Sequence, residues 1–246
     1  MEKSETKVAA EPRPNQMPHL KIYSKQDILS LTKIRRFETK VGERMHVVFD
    51  SLQLERSIAD SSAKYVLFGI PEDLGAKGNY GIGGTDTLWI PFLQSFLNVQ
   101  SNDFLDGNEI LMLGHFDFGD IQYLIDTTAR GDDEKIEAYR HAVNAIDDEV
   151  EHLAKIITEA KKIPIVVGGG HNNSYPLIKA LLRAGIKLAL FRWRKSTVST
   201  WMLMPTTARW RAATAGMPFA MQRKMGTCLN IVSLVCMRII SRKMFG

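Results

Sequence analysis

Ile163-Pro-Ile-Val-Val-Gly-Gly-Gly-His-Asn-Asn-Ser174 decides the fold. An apolar run, three glycines and a histidine read as a buried strand whose carboxyl end opens into a tight loop. Pro176 to Ala184 reads as the helix that follows. Upstream, residues 134–162 carry the clearest helical pattern. Ile136, Tyr139, Val143, Ile146, Val150, Leu153 and Ile157 recur at spacings of three or four. Acidic residues crowd its start and Lys161-Lys162 stand at its end, matching the helix dipole. His141 and His152 on this helix read as surface or boundary residues. Further upstream, Lys64–Ile70 and Glu109–Gly114 read as two more buried strands, with a helix over Leu88–Leu97 between them. Strands alternating with helices give an α/β fold with a mostly parallel sheet. Ligand sites in such sheets lie beyond the carboxyl ends of the strands.

Three groups of residues at those ends could carry chemistry. The segment after Ile70 holds Gly75, Gly78, Gly81, Gly83 and Gly84, without the Lys-Ser/Thr ending of a P-loop and without a dinucleotide fingerprint. It reads either as a plain connection or as a loop at the mouth of a site. His115-Phe-Asp117 follows the second strand, and His-x-Asp there could ligate metal; a loop histidine with capping aspartates is the alternative. His171 follows Gly168-Gly-Gly170, where missing side chains leave room for an ion or substrate. Its alternative is a hydrogen-bonded loop histidine.

Composition bounds the rest. The 246 residues are 45% hydrophobic and 24% charged, an ordinary globular balance long enough for a sizeable core. No apolar run approaches the roughly 18–20 residues of a membrane span, and Met1–Gln16 lacks the apolar stretch of a signal peptide. The two cysteines exclude a disulfide scaffold, so a cytoplasmic protein is expected, with no membrane and no nucleic-acid partner. Residues 1–24 read as a loose arm, 25–190 as the α/β domain, and 191–246 as something else; 25–50 give no firm elements. Up to Leu190 there are 27 acidic and 22 basic residues; from Phe191 onward there are 10 basic residues, no acid and no histidine. That tail also holds Cys228, Cys236 and three of the four tryptophans. It reads as a basic binding segment, an unusual subdomain or a translation outside the working frame.

Val166-Val-Gly-Gly-Gly-His171-Asn-Asn-Ser-Tyr-Pro resembles the first metal-ligand motif of the arginase/agmatinase/formimidoylglutamase family, the ureohydrolases. Phe68-Gly-Ile-Pro-Glu-Asp73 and the glycine-rich loop ending Gly83-Gly-Thr85 resemble that family's first strand and loop. The resemblance runs from about residue 25 to about residue 190 and is greatest to the formimidoylglutamase-like branch. It implies a three-layer α/β/α fold, here incomplete at the C-terminus, and a binuclear Mn2+ site with His171 as one metal ligand. It implies metal-assisted hydrolysis of a small amidine or guanidino substrate, in which the ions activate water and polarise the electrophile. It also implies a homo-oligomer. The family's remaining ligands belong to later Asp-x-His-x-Asp and Asp-x-Asp motifs, and the tail has neither Asp nor His. A different metal hydrolase built on His115, Asp117 and His171 is a weaker alternative, as is a non-enzymatic protein that binds through its basic tail.

The genetic code speaks to the tail. Trp and Met have single codons, so Trp201-Met202 is TGGATG. Read one nucleotide earlier, it gives NTG-GAT, with an obligatory Asp. Ser199 to Ala208 then permits Ile/Val-Asn-Leu-Asp-Ala-His-Ala-Asp-Tyr-Arg, which contains the absent motif. Trp210–Gln222 and Cys236–Ile240 likewise permit family-like runs. The expectation is a frameshift that begins between Gly185 and Ser199 and leaves this chain inactive, with an open strand edge.

Overall fold

The computed structural model describes residues 17–185 and the backbone of three later strands. The strands are β1 (Leu20–Ile22), β2 (His46–Val47), β3 (Tyr65–Ile70), β4 (Ile110–Phe116), β5 (Ile163–Gly168), β6 (Ala189–Lys195), β7 (Val198–Met204) and β8 (Leu234–Cys236). The helices are α1 (Lys25–Leu31), α2 (Val41–Arg44), α3 (Leu54–Asp60), α4 (Leu74–Lys77), α5 (Trp89–Phe96), α6 (Gly119–Thr128), α7 (Asp132–Glu159) and α8 (Ser174–Arg183). β4, β3 and β5 lie side by side, all parallel. On the outer edge of β4, β2 runs parallel beside Leu111 and Met112, and β1 runs antiparallel beside Gly114–Phe116. The last residues expected in the loose arm therefore join the sheet. β8 pairs antiparallel with β5, so the edge expected to stand open is covered at Ile165–Val167. β6 and β7 form a separate antiparallel pair. The rest of the tail lies outside the described residues.

The sheet carries helices on both faces because its central strands are apolar on both. Val66, Phe68 and Ile70 of β3, with Leu111 and Leu113 of β4, pack beneath Ile58 of α3, Ile146, Val150, Leu153 and Ile157 of α7, and Leu177 and Leu181 of α8. Leu67, Ile110, Met112 and Val167 point the other way, toward Ile28 of α1, Val41 and Met45 around α2, and Trp89 and Leu93 of α5. The result is three layers, α/β/α, with each fully buried Leu or Ile contributing about 1.5–3 kcal/mol through loss of water contact. Among the described residues no helix is long and apolar enough to cross a membrane.

One irregularity matters for the site. Leu67 pairs with Met112 but Phe68 pairs with Gly114, so β4 carries one extra residue at Leu113. A one-residue slip reverses which side chains face which layer. Before the bulge, Leu111 and Leu113 face α7; after it, Phe116 does. His115 is thereby turned to the opposite face, against the rings of Tyr23 and Trp89. Gly114 absorbs the bend at φ +138°, and a Cβ there would stand 1.9 Å from the Lys21 carbonyl oxygen of β1.

α7 follows the predicted pattern but begins at Asp132 and ends at Glu159, so Lys161-Lys162 lie beyond it. Lys161 turns the chain at φ +57°, and Lys162 Nζ donates to the Ser61 and Ala63 carbonyls at 2.5 and 2.7 Å. This cation thus ties the helix end to the start of β3 rather than neutralising the dipole from within the last turn. Two buried glutamates anchor the same helix sideways. Glu149 meets His19 Nδ1 at 2.5 Å, and Glu151 pairs with Lys179 at 2.5 Å and with Arg183. Paired in this way, the buried carboxylates avoid the cost of an isolated charge.

Gly114→Ala is expected to cost about 1–3 kcal/mol from backbone strain alone, with the β1 clash adding to it. Thermal unfolding should show this as a lowered Tm, and amide exchange at Leu20–Ile22 should accelerate before that of β3.

Candidate functional site

The carboxyl ends of β3, β4 and β5 lead into three loops that meet above the sheet. Gly168 and Gly169 take φ values of +150° and +29°, and a Cβ on either would strike the backbone of Ile70. The loop after β5 can therefore pass directly over the end of β3, which explains why glycines stand there. His171 begins a short 3-10 turn, His171–Asn173, ahead of α8, and is exposed.

Glu72 joins this loop to β3. It is only 2% exposed. Its Oε1 accepts from the Gly170 N–H at 2.8 Å and from Asn173 Nδ2 at 2.5 Å. Its Oε2 accepts from the Leu74 N–H at 2.8 Å and the Gly75 N–H at 3.4 Å. Burial pushes the Glu72 carboxyl above the ordinary range, and these donors pull against it. The neighbouring Asp73, equally buried, accepts from the Gly84 N–H at 2.9 Å and pairs with Lys77 at 2.8 Å. Thr85 Oγ1 donates to the Glu72 carbonyl at 2.9 Å. The glycine-rich segment is thus pinned to the strand end by Asp73 and Thr85.

A cavity of about 280 Å3 opens beside it, lined by Glu72, Asp86, Trp89, His115, Asp117 and Gln122 among others. The Trp89 indole lies against Gly69, where a Cβ would come within 2.5 Å of the ring, and its Nε1 donates to Tyr23 Oη at 3.0 Å. His115 lies within β4 rather than in the loop expected from the sequence. Its Nδ1 is buried with no hydrogen-bond partner among the described residues, and burial holds its pKa below the usual histidine range. Asp117 is exposed and accepts from the Gly119 N–H at 3.1 Å, the capping role weighed as the alternative.

The structure does not bring His115, Asp117 and His171 together around one cavity. His171 lines a smaller cleft with Gly170, Asn173 and Ser174. Among the described residues no three His, Cys, Asp or Glu side chains form a group that could hold a metal ion. The hydrolase built on those three residues therefore has no geometric support. The described residues likewise do not fit a binuclear manganese site, for which they offer only His171. His141 is exposed and His152 half-buried on α7, as expected.

Sequence reasoning missed Glu72 and also Asp147. Asp147 lies on α7, within electrostatic reach of Glu72, with Oδ1 buried and without a hydrogen-bond partner among the described residues. Its pKa is pushed up to about 7, chiefly by burial, with the Glu72 charge adding and Lys179 opposing. The only sequence signal for Glu72 was its place directly after Gly-Ile-Pro at a strand end. Asp147 carried none, sitting among the acidic residues of a half-solvated helix.

These features define an α/β protein whose loops converge at the carboxyl ends of parallel strands. No family model matches the sequence, and no curated protein does. Among solved structures, the chain is similar to formiminoglutamase from Trypanosoma cruzi crystallised with Mn2+, with 22% identity over 60% of this chain and 41% of that one, at a TM-score of 0.36. It is also similar to an arginase superfamily protein from the same organism, with 23% identity over 52% of this chain and 39% of that one, at a TM-score of 0.33. The chain thus spans about two fifths of the length of the solved proteins it matches.

The raised Asp147 pKa makes stability depend on pH. Below about pH 4 the acid is neutral folded or unfolded, and it contributes nothing. Between about 4 and 7 the unfolded chain releases this proton while the folded chain retains it, so stability falls as pH rises. Asp147→Asn should match the parent near pH 4 and exceed it at pH 8 by on the order of 1–3 kcal/mol, after allowance for solvent screening. Denaturant unfolding at the two pH values measures the difference.

Proposed function

We propose that the gene encodes a manganese-dependent hydrolase of linear amidines of the ureohydrolase kind. N-formimidoyl-L-glutamate, cleaved to glutamate and formamide, is the first substrate choice, and arginine, agmatine or another guanidino compound releasing urea is the second. The observation that carries this reading is the Gly168–His171 loop, seated on the end of β3 and held there by the Glu72 that follows Gly-Ile-Pro. The two stretches that resemble the family's first ligand motif and first strand are thus neighbours in space, although 98 residues separate Glu72 from Gly170.

The metal is where this chain and the proposed activity part. One histidine cannot hold two ions, so no catalytic step is assigned to the residues described. We take the rest of the ligand set to lie in another reading frame, entered between Gly185 and Ser199, and the chain with residues 191–246 as written to be inactive. The composition change after Leu190 and the obligatory Asp hidden in Trp201-Met202 support this. A cytoplasmic homo-oligomer with no nucleic-acid or membrane partner belongs to the same reading.

Sequencing the gene across the codons for Gly185 to Trp201 tests the frame. The expected result is one base missing or extra, with Asp-Ala-His-Ala-Asp encoded in the earlier frame. The corrected protein should release formamide from N-formimidoyl-L-glutamate, or urea from a guanidino substrate, only with Mn2+ present; the chain as written should release neither. A nucleotide sequence without that motif, or a corrected protein that acts on no amidine, defeats the reading.

A further inference from the structure

We propose that Glu72 is a positioning residue, whose carboxylate sets where His171 is held relative to the end of β3. The inference rests on the reading of His171 as a working side chain of the site. Each hydrogen-bond partner of the carboxylate is a donor: Gly170 N–H and Asn173 Nδ2 on one oxygen, Leu74 N–H and Gly75 N–H on the other. Only an acceptor on both sides satisfies that arrangement, and a carboxylate is the side chain that provides it. Charge-assisted bonds to backbone N–H groups are short and directional, so they fix the loop's place as well as its stability. The Gly170 peptide lies immediately before His171, and Asn173 two residues after it. The histidine is thus bracketed by the two groups that Glu72 holds. Asn173 Nδ2 also donates to the Gly170 carbonyl at 3.1 Å, closing the turn around His171 on itself. Glu72 reaches His171 only through the loop; it also lines the cavity of about 280 Å3, whereas His171, Gly170 and Asn173 line the smaller cleft beside it.

The test is native-state amide exchange and imidazole NMR on the full chain, the parent against Glu72→Ala and Asn173→Ala. Glu72→Ala removes both acceptors and leaves room for water; Asn173→Ala removes the two bonds of Nδ2, to Glu72 and to the Gly170 carbonyl, and leaves the Gly170 N–H bond to Glu72 in place. Glu72→Ala should speed exchange at the Gly170 N–H by about tenfold to a hundredfold relative to the core amides of Val66 and Leu113. The ring signals of His171 should move in both variants while those of His19 stay. A merely structural Glu72 predicts another pattern: all core amides accelerate in step with Gly170. That result, or His171 ring signals that coincide with the parent's in both variants, overturns the proposal. Should Glu72→Ala not fold, Asn173→Ala decides on the same two readouts. Failure of the corrected gene product to hydrolyse amidines leaves these measurements intact, so the two proposals fail separately.

Discussion

A carboxylate almost out of contact with water must have both oxygens satisfied, or the structure around it will not form. Glu72 meets that condition with donors from two segments distant in sequence, and the candidate site depends on it. The loop after β5 lies on the end of β3 because three glycines allow it to and because Glu72 gives it something to bind. The glycine-rich loop is held from the next residue, Asp73, so both walls of the site are set by adjacent acids at one strand end. Below them the sheet is rigid for an ordinary reason: β3 is apolar on both faces and is covered on both.

Much of this was legible in the sequence because central parallel strands and amphipathic helices write their own patterns. The stretches Lys64–Ile70, Glu109–Gly114 and Ile163–Val167 differ from β3, β4 and β5 by no more than two residues at any end. The long helix was plain from its apolar spacing. Residues 25–50 were not, because α1 and α2 are short: α1 has the local Ser24–Asp27 capping box but also tertiary ties, with Lys25 Nζ donating to the carbonyls of Glu43 and Met45 at 2.8 and 2.7 Å. The bulge in β4 was not read either. Gly114 is the one local mark of it, since a glycine within a strand suits a bulge; the extra residue itself shows only in the pairing with β3. His115 was therefore legible as a histidine near a strand end but not as a half-buried one with its Nδ1 shut away from water. Glu72 and Asp147 were missed for a related reason, since an acidic side chain reads as solvated until its burial is known.

The tail poses a different problem. A folded domain distributes its acids and bases over a surface, and a segment of 56 residues without one acid does not look like the continuation of the domain before it. Under the frameshift proposed above the loss follows directly, because codons for Asp and Glu would be read as other residues. Even so, the backbone of Leu234–Cys236 lies along β5. An exposed strand edge recruits whatever extended segment can pair with it, since pairing depends on main-chain groups that every residue but proline carries in full.

Glu72 and Gly170 also set an order of events. Residues that meet across 98 positions come together only after the intervening chain has been closed into a loop, which is slow compared with forming α7 or a local turn. The pairing of β5 with β3 closes that loop, and the contact between the two loops can then follow at little additional entropic cost. On the ribosome this contact cannot exist until Asn173 has cleared the exit tunnel, by which time the core-forming residues before β5 have all been synthesised. The two halves of the site thus reach the folding chain at different times, Glu72 first and the loop that it holds 98 positions later.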